Sequence, residues 1–376
     1  MSSIYIHIPF CKQACYYCDF HFSTFLKKKN AFLNALKKEI VLQKDYLSGE
    51  KINTIYFGGG TPSLLSQQEL LDIFEQLNNY FSIAPDAEIT LEANPDNLSK
   101  QKLLELKDSP INRLSIGIQS FSDADLKFMN RIHTAQEALQ SVVWAKEIGF
   151  NNISIDLIYG VPTLSNAVWK KNIATTFSLN ISHISCYSLT VERQTALAYF
   201  IKKGKVKNLD EELALQQYEI LMEMMHANSY IHYEISNFCK EGFYSRHNSG
   251  YWLQEKYLGL GPAAHSFNGS SRQWNIANNN HYIQALSKDE LPFEKEILSL
   301  KQQYNEYVLT SLRTIWGTDW EYIKKHFGET FSHYFQQQAK RYVTLELVIE
   351  KEHKLFLTNK GKFLSDKIIA DLFYAK

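Results

Sequence analysis

Apolar positions in the first 230 residues fall into two kinds of segment. Short runs rich in β-branched and aromatic residues are typical of strands; they occur at 4–8, 54–58, 88–93, 113–118, 152–158 and 183–189. Longer segments between them carry apolar residues three or four positions apart, which is helical spacing; examples are 31–47, 67–81 and 212–227. Strands that alternate with helices predict βα units on a parallel sheet or barrel, and therefore an α/β fold.

The pattern changes near residue 290. We predict that the segment 291–315 is helical and that 343–373 forms a strand, a turn, a second strand and a final helix. This arrangement predicts a small α+β domain. The expected divisions are a core over 1–230, a connecting segment over 231–290 and a C-terminal domain over 291–376.

Charge and composition exclude some classes of partner. Lys+Arg and Asp+Glu both total 40 in 376 residues, so the basic excess of a typical nucleic-acid-binding protein is missing. The N-terminal sequence lacks a basic stretch, and His7 interrupts its apolar run, which is unlike a signal peptide. The sequence contains no run of about 18 apolar residues, so it predicts no membrane span. We therefore expect a cytoplasmic protein whose five cysteines serve metal or redox chemistry.

Three of the cysteines lie in the stretch CKQACYYCDF at residues 11–20. Zinc sites usually have four ligands in two pairs, and ferredoxin clusters also take four cysteines. Three ligands on a cubane iron–sulfur cluster would leave one iron open to another molecule. From spacing alone, an incomplete zinc site and incidental buried thiols stay as alternatives. Cys186 is expected to be a core residue, and Cys239 either a core residue or a reactive thiol.

Glycine or polar residues stand at or near the ends of several predicted strands. In a parallel barrel these carboxyl ends meet on the face where ligands bind. Glycines let a ligand lie against the backbone, and carboxylate and amide groups can bond its polar atoms. The residues in question are Gly59, Gly60, Thr61, Glu92, Gln119 and Asp156.

These motifs together resemble the radical S-adenosylmethionine (SAM) superfamily and, within it, the oxygen-independent coproporphyrinogen III oxidase-like family. The resemblance implies a partial (β/α)6 barrel with a small, winged-helix-like C-terminal domain. It implies that Cys11, Cys15 and Cys18 hold a [4Fe–4S] cluster whose open iron is chelated by SAM. It also implies SAM contacts from Tyr5, Tyr17, Gly59, Gly60, Thr61, Glu92, Gln119, Arg131 and Asp156.

Two subfamilies are distinguished by the residue two places after the third cysteine. The oxidases carry a further cysteine there, whereas this chain has Phe20. The chain also contains an HNxxYW motif at 247–252, followed by GLGPAAHSF at 259–267. In these features it resembles the HemW-type haem chaperones. The alternative is an enzyme, an oxygen-independent coproporphyrinogen III oxidase, because the sequence resembles the family in all of the cluster and SAM motifs that radical chemistry needs.

The HNxxYW motif supplies candidate haem-binding residues. A neutral imidazole is a common axial ligand of haem iron, and flat aromatic rings can pack against a porphyrin. We therefore predict His247 as the ligand, with Tyr251 and Trp252 beside it. A hydrogen-bonded packing cluster is the alternative for these residues. His265 is a weaker candidate ligand and is expected to be structural. The resemblance implies transfer of haem to an acceptor, such as a respiratory enzyme.

Overall fold

The computed structural model describes residues 2–375. Its strands are β1 (Ser2–Ile8), β2 (Ile52–Gly59), β3 (Ile83–Ala93), β4 (Arg113–Gln119), β5 (Asn152–Tyr159), β6 (His183–Ser188), β7 (Ile231–His232), β8 (Asn237–Cys239), β9 (Lys256–Leu260), β10 (His265–Phe267), β11 (Ser271–Asn275), β12 (Phe293–Ile297), β13 (Thr318–Asp319), β14 (Val348–Lys351) and β15 (Lys354–Leu357).

The helices alternate with the first six strands and then fill the C-terminal part. They are α1 (Lys29–Leu42), α2 (Gln67–Tyr80), α3 (Lys100–Lys107), α4 (Asp123–Phe128), α5 (Ala135–Glu147), α6 (Asn166–Ser178), α7 (Ala196–Lys202), α8 (Glu211–Ala227), α9 (Arg246–Trp252), α10 (Asn279–Ser287), α11 (Leu300–Ser311), α12 (Trp320–Phe327), α13 (Glu329–Thr344), α14 (Asn359–Phe363) and α15 (Ser365–Leu372). Within residues 2–375, each helix is too short or too polar to cross a lipid bilayer.

Strands β1 to β6 are parallel neighbours in chain order. This confirms the predicted (β/α)6 arrangement. The strands are apolar over most of their length because helices cover the sheet; in β4 every residue is buried. Capping boxes fix the starts of two covering helices, with Ser66 and Glu69 at α2 and Thr134 and Glu137 at α5.

The segment between the core and the C-terminal domain extends the same sheet. Strand β9 pairs in parallel with β1, and β10, β11 and β12 continue the sheet in antiparallel order. On the other edge, β8 and β7 follow β6. The division of the chain at residues 230 and 290 stays a prediction.

The predicted helix over 291–315 is wrong in its first part. Residues 293–297 form β12, and helix α11 begins only at Leu300. The segment FEKEI is mostly exposed and has no clear apolar alternation of its own, and it forms a strand by pairing with β11. Ser299 and Gln302 form a capping box that starts the helix after this strand.

The C-terminal domain has its own apolar core. Buried side chains from α11, α12, α13 and α15 pack together with residues of the small sheet β13-β15-β14. The predicted succession of strand, turn, strand and helix is confirmed by β14, β15 and the helices that follow.

A buried carboxylate joins the core to the connecting segment. Glu39 in α1 is fully buried and accepts hydrogen bonds from the Gly261 amide (2.7 Å), the Asn275 amide group (2.5 Å) and the Tyr282 hydroxyl (2.5 Å). Burial raises the pKa of Glu39 to about 6, and the three donors oppose this rise. One side chain therefore holds the β9–β10 turn, β11 and α10 against α1.

We expect Glu39→Ala to destabilise the chain by roughly 3 kcal/mol or more, because each buried donor left without an acceptor costs about 1–3 kcal/mol. Urea unfolding followed by circular dichroism measures this change. Glu75→Ala, on the exposed side of α2, is the control and should change stability by about 0.5 kcal/mol or less. Equal effects of the two substitutions would contradict this role for Glu39.

Candidate functional site

The three cysteines of the motif lie on the loop that follows β1. All three are free thiols and half-buried. The Cys11 sulfur accepts a hydrogen bond from the Thr61 hydroxyl, and the Cys15 sulfur accepts one from the Arg131 guanidinium, both at 3.4 Å. Burial raises the pKa of Cys11, and it raises that of Cys18 to about 12. These thiols are therefore set among donors that would stabilise a thiolate once iron replaces the proton.

The cysteine loop closes one end of a cavity of about 350 Å³ at the carboxyl ends of the strands. The residues predicted to hold a cluster or SAM line this cavity, with the exception of Tyr5. They are Cys11, Cys15, Cys18, Tyr17, Gly59, Gly60, Thr61, Glu92, Gln119, Arg131 and Asp156. The parallel sheet thus brings together residues that are up to 145 positions apart, from Cys11 to Asp156.

Two half-buried carboxylates, Glu92 and Asp156, line the cavity. Glu92 accepts from the Tyr56 hydroxyl at 2.9 Å and from the Gly59 amide at 3.2 Å. Burial raises the pKa of Glu92 to about 7 and that of Asp156 to about 6; their mutual repulsion adds to the shift at Glu92. A cationic group placed in the cavity would favour the ionised form of both.

Arg131 gives the cavity a positive charge. Its guanidinium donates to the Asn94 side-chain oxygen at 2.7 Å and to the Gly117 carbonyl at 2.8 Å, besides its bond to Cys15. The Asn94 amide in turn donates to Thr61 at 3.1 Å. Asn94 therefore links Arg131, which bonds to Cys15, with Thr61, which bonds to Cys11.

The backbone at two strand ends is specialised for close approach. Gly59 has φ +101°, and a Cβ there would lie 2.5 Å from the His7 ring. Gln119 adopts φ +66° without being glycine, next to a register irregularity between β4 and β5. Left-handed conformations outside glycine are uncommon and concentrate at functional sites. Here the conformation accompanies a side chain that lines the cavity.

Sequence reasoning missed several lining residues. Asn94, Ser115 and Gly117 line the cavity, as do Tyr187 and Ser188 from the end of β6. Asn94 and Ser188 follow the same rule as the predicted residues, because each stands at the end of an apolar strand. Cys186 is buried in β6, as expected, and Cys239 is buried in β8, which agrees with the first of its two expected roles.

The donor set fits a cluster with SAM bound beside it. Three thiols can bind three irons, which leaves the fourth for another molecule. SAM carries an ammonium, a carboxylate and a positively charged sulfur. Glu92 and Asp156 match its positive groups, and Arg131 matches its carboxylate.

A second cavity, of about 520 Å³, adjoins the first. Asp19 and Phe20 line both. Tyr251 and Trp252 of the HNxxYW motif line the second cavity, and so does Tyr5, whose hydroxyl is 3.2 Å from His7 Nδ1. The remaining aromatic and imidazole groups of its lining are His7, His21, Tyr257, His265 and Phe267.

His247 does not line either cavity. Its ring is buried, with Nδ1 2.7 Å from the Thr54 hydroxyl and Nε2 2.8 Å from the Tyr251 hydroxyl. Its ring stacks on Tyr56, and burial lowers the pKa of His247 to about 3. The start of α9 is held by Glu88, which accepts from the His247 amide at 3.0 Å. Iron ligation by His247 stays a prediction, and it requires the Tyr251 hydroxyl to leave Nε2.

Comparison with known proteins decides the family. A model of the radical SAM superfamily matches residues 5–172, and a model of the HemN C-terminal domain matches residues 298–364. The chain is 35% identical over 372 residues to the heme chaperone HemW of Bacillus subtilis (strain 168), with 98% of each chain covered. The chain belongs to the HemW family. A HemW of Mycobacterium tuberculosis (strain ATCC 25618 / H37Rv) is 31% identical over 374 residues, which cover 98% of this chain and 94% of that one.

A solved structure supports the fold of this HemW-family chain. Coproporphyrinogen III oxidase (HemN) from Escherichia coli, described as a radical SAM enzyme, superposes with a TM-score of 0.86. The match covers 100% of this chain and 90% of that chain at 23% identity. This likeness establishes the fold, and it agrees with the predicted radical SAM barrel with a small C-terminal domain.

The raised pKa of Glu92 predicts a pH-dependent stability of the ligand-free chain. A carboxyl whose pKa rises from 4.5 to about 7 on folding binds its proton more tightly in the folded state. Stability is therefore lost as pH rises from 4.5 to 7. We expect Glu92→Gln to remove this loss, so its free energy of unfolding should gain up to about 3 kcal/mol relative to wild type across that range.

Urea unfolding at several pH values between 4.5 and 8 measures the difference. Glu75→Gln, on the exposed face of α2, is the matched control and should track wild type. A Glu92→Gln difference that stays constant with pH would contradict the assignment.

Proposed function

We propose that this chain is a haem chaperone that holds a [4Fe–4S] cluster and SAM in the first cavity and haem in the second. The observation that carries the proposal is the second cavity itself. It is lined by aromatic rings and imidazoles, and it shares Asp19 and Phe20 with the cavity of the cysteines. Its size lies within the range of about 300–1,000 Å³ typical of small-molecule sites. The relatives named as heme chaperones support the same function.

In this proposal Cys11, Cys15 and Cys18 bind three irons of the cluster. SAM would occupy the open iron, with Arg131 on its carboxylate and Glu92 and Asp156 on its positive and hydroxyl groups. The further contacts are Tyr17, Gly59, Gly60, Thr61 and Gln119. Tyr5 lines the second cavity, so it would support the SAM site from the side that faces this second cavity. When bound, the cluster and SAM supply one-electron chemistry at this site.

The chain's own residues give the second cavity its affinity for a flat apolar ligand. The Tyr251 and Tyr257 rings meet edge to face with centroids 4.7 Å apart, and Trp252 stands next to Tyr251 in α9. Such rings supply large apolar contact area at a small entropy cost. Haem would leave this cavity for an acceptor that uses haem, such as a respiratory enzyme, and we place the exchange in the cytoplasm.

We expect replacement of the three motif cysteines by serine, Cys11→Ser, Cys15→Ser and Cys18→Ser together, to abolish binding of the cluster. Iron analysis and Mössbauer spectroscopy after anaerobic reconstitution measure the loss. Cys186→Ala changes a buried thiol of the core and should keep the cluster. A triple variant that still held four irons would refute the cluster assignment.

We expect the cluster-reconstituted chain to bind one equivalent of haem, and Trp252→Ala to weaken binding roughly tenfold through lost ring contact, or about 1.4 kcal/mol. Anaerobic titration followed in the Soret band measures both. Trp144→Ala, which changes a tryptophan of α5 outside the cavity, is the control. Absence of saturable haem binding by wild type would remove the chaperone function.

A further inference from the structure

The second cavity contains three imidazoles, and only an imidazole with an available ring nitrogen can bind iron. His7 has neither nitrogen available in the structure. Its Nε2 lies 2.8 Å from the His21 carbonyl and its Nδ1 3.2 Å from the Tyr5 hydroxyl. Its ring is also buried and bounds the space where a Cβ of Gly59 would stand. His7 is therefore a structural residue at the wall between β1 and β2.

The other two imidazoles differ in how they are held. His21 Nε2 is 2.7 Å from the Asn279 side-chain oxygen, which ties its ring to α10. The ring nitrogens of His265 make no hydrogen bond with any residue among 2–375. The His265 side chain is exposed at the cavity, with its ring stacked beside Trp274 at a centroid distance of 6.2 Å. Of the three, His265 is the one with both nitrogens available.

The backbone holds His265 in a fixed place. A Cβ on Gly259 would lie 2.0 Å from the His265 carbonyl oxygen, so the two strands approach as closely as glycine allows. The Gly259 amide also donates to the Ser266 hydroxyl at 2.9 Å. His265 and Phe267 stand two residues apart on one face of β10, and both line the cavity. The imidazole thus projects from a rigid strand, which favours a defined ligand geometry.

Resting on the proposed function, we propose that His265 is the axial ligand of haem iron in the second cavity, with the porphyrin against Trp252, Tyr257 and Phe267. A ring nitrogen of the neutral imidazole donates its lone pair to the iron, and no electron is transferred. His247 then acts as a positioning residue. Its Nε2 contact with the Tyr251 hydroxyl fixes the Tyr251 ring in the cavity wall.

The test compares single-histidine variants of the full chain, reconstituted with its cluster and loaded with one equivalent of ferric haem. Ligand identity is read by electron paramagnetic resonance and magnetic circular dichroism, and affinity by Soret titration. We expect His265→Ala to lose the imidazole signature and to raise the Kd for haem by at least about tenfold. Mutation of a residue that only hydrogen-bonds to a metal ligand already costs about 10- to 100-fold in metal affinity. Added imidazole should restore the signature. His226→Ala, exposed at the end of α8 and outside the cavity, should behave as wild type.

Tyr251→Phe provides a second, independent variant. It removes the hydroxyl from His247 Nε2 and leaves His265 untouched. With His265 as the ligand, Tyr251→Phe should keep the imidazole signature of wild type, while its haem affinity falls because the Tyr251 ring loses the contact that fixes it. A new signature or a tighter haem complex in Tyr251→Phe, together with loss of the signature in His247→Ala, would overturn the proposal in favour of His247.

The remaining outcomes separate the ligand from the function. Haem binding that keeps its imidazole signature in His265→Ala would overturn the ligand proposal and leave the chaperone function standing. A wild type that binds no haem would overturn both. Iron content and circular dichroism of each variant establish that the cluster and the fold are intact.

Discussion

The structure depends on the parallel pairing of β1 to β6, which forces the carboxyl ends of six strands to one edge. Hydrogen bonds between neighbouring parallel strands fix the register, so a polar residue at the end of one strand stands beside that of the next. Glu92, Gln119 and Asp156 line the same cavity because their strands end at this edge. The cysteine loop follows β1 directly and is therefore carried to the same edge.

The first cavity contains charges of both signs, from Glu92, Asp156 and Arg131. Burial raises the pKa of both Glu92 and Asp156, and the charges of Arg113 and Arg131 oppose the rise only at Asp156, while Arg131 directs three of its donors to Asn94, Gly117 and Cys15. In a folded chain without ligand this arrangement is unfavourable, because burial penalises each charge. A ligand with both signs of charge relieves the penalty, so binding and stability are coupled through the same side chains.

The two cavities meet at the residues that follow the third cysteine. Asp19 and Phe20 line both, and the Phe20 side chain is 68% exposed, which is unusual for a phenylalanine beside the core. A change in the cysteine loop would therefore reach the second cavity through two adjacent side chains. Arg272 also lines the second cavity, and its bidentate pair with Glu306 joins β11 to α11, so the C-terminal domain helps to fix the shape of that cavity.

Periodicity and spacing by themselves determined the six parallel strands and the helices between them, and they pointed to the glycine and polar residues at the strand ends, because these depend on local pattern and on the shared edge of a parallel sheet. Tyr17 and Arg131 came from the family resemblance. The strand at 293–297 was missed because its pairing partner, and not its own short pattern, makes it a strand. Only the tertiary structure decided which imidazoles are available. Thr54 is 193 positions from His247, and the Thr54 hydroxyl contacts His247 Nδ1. The HNxxYW motif alone does not show that this ring nitrogen has a partner. Hydrogen bonds across such distances follow from packing, and no local pattern in the chain carries them.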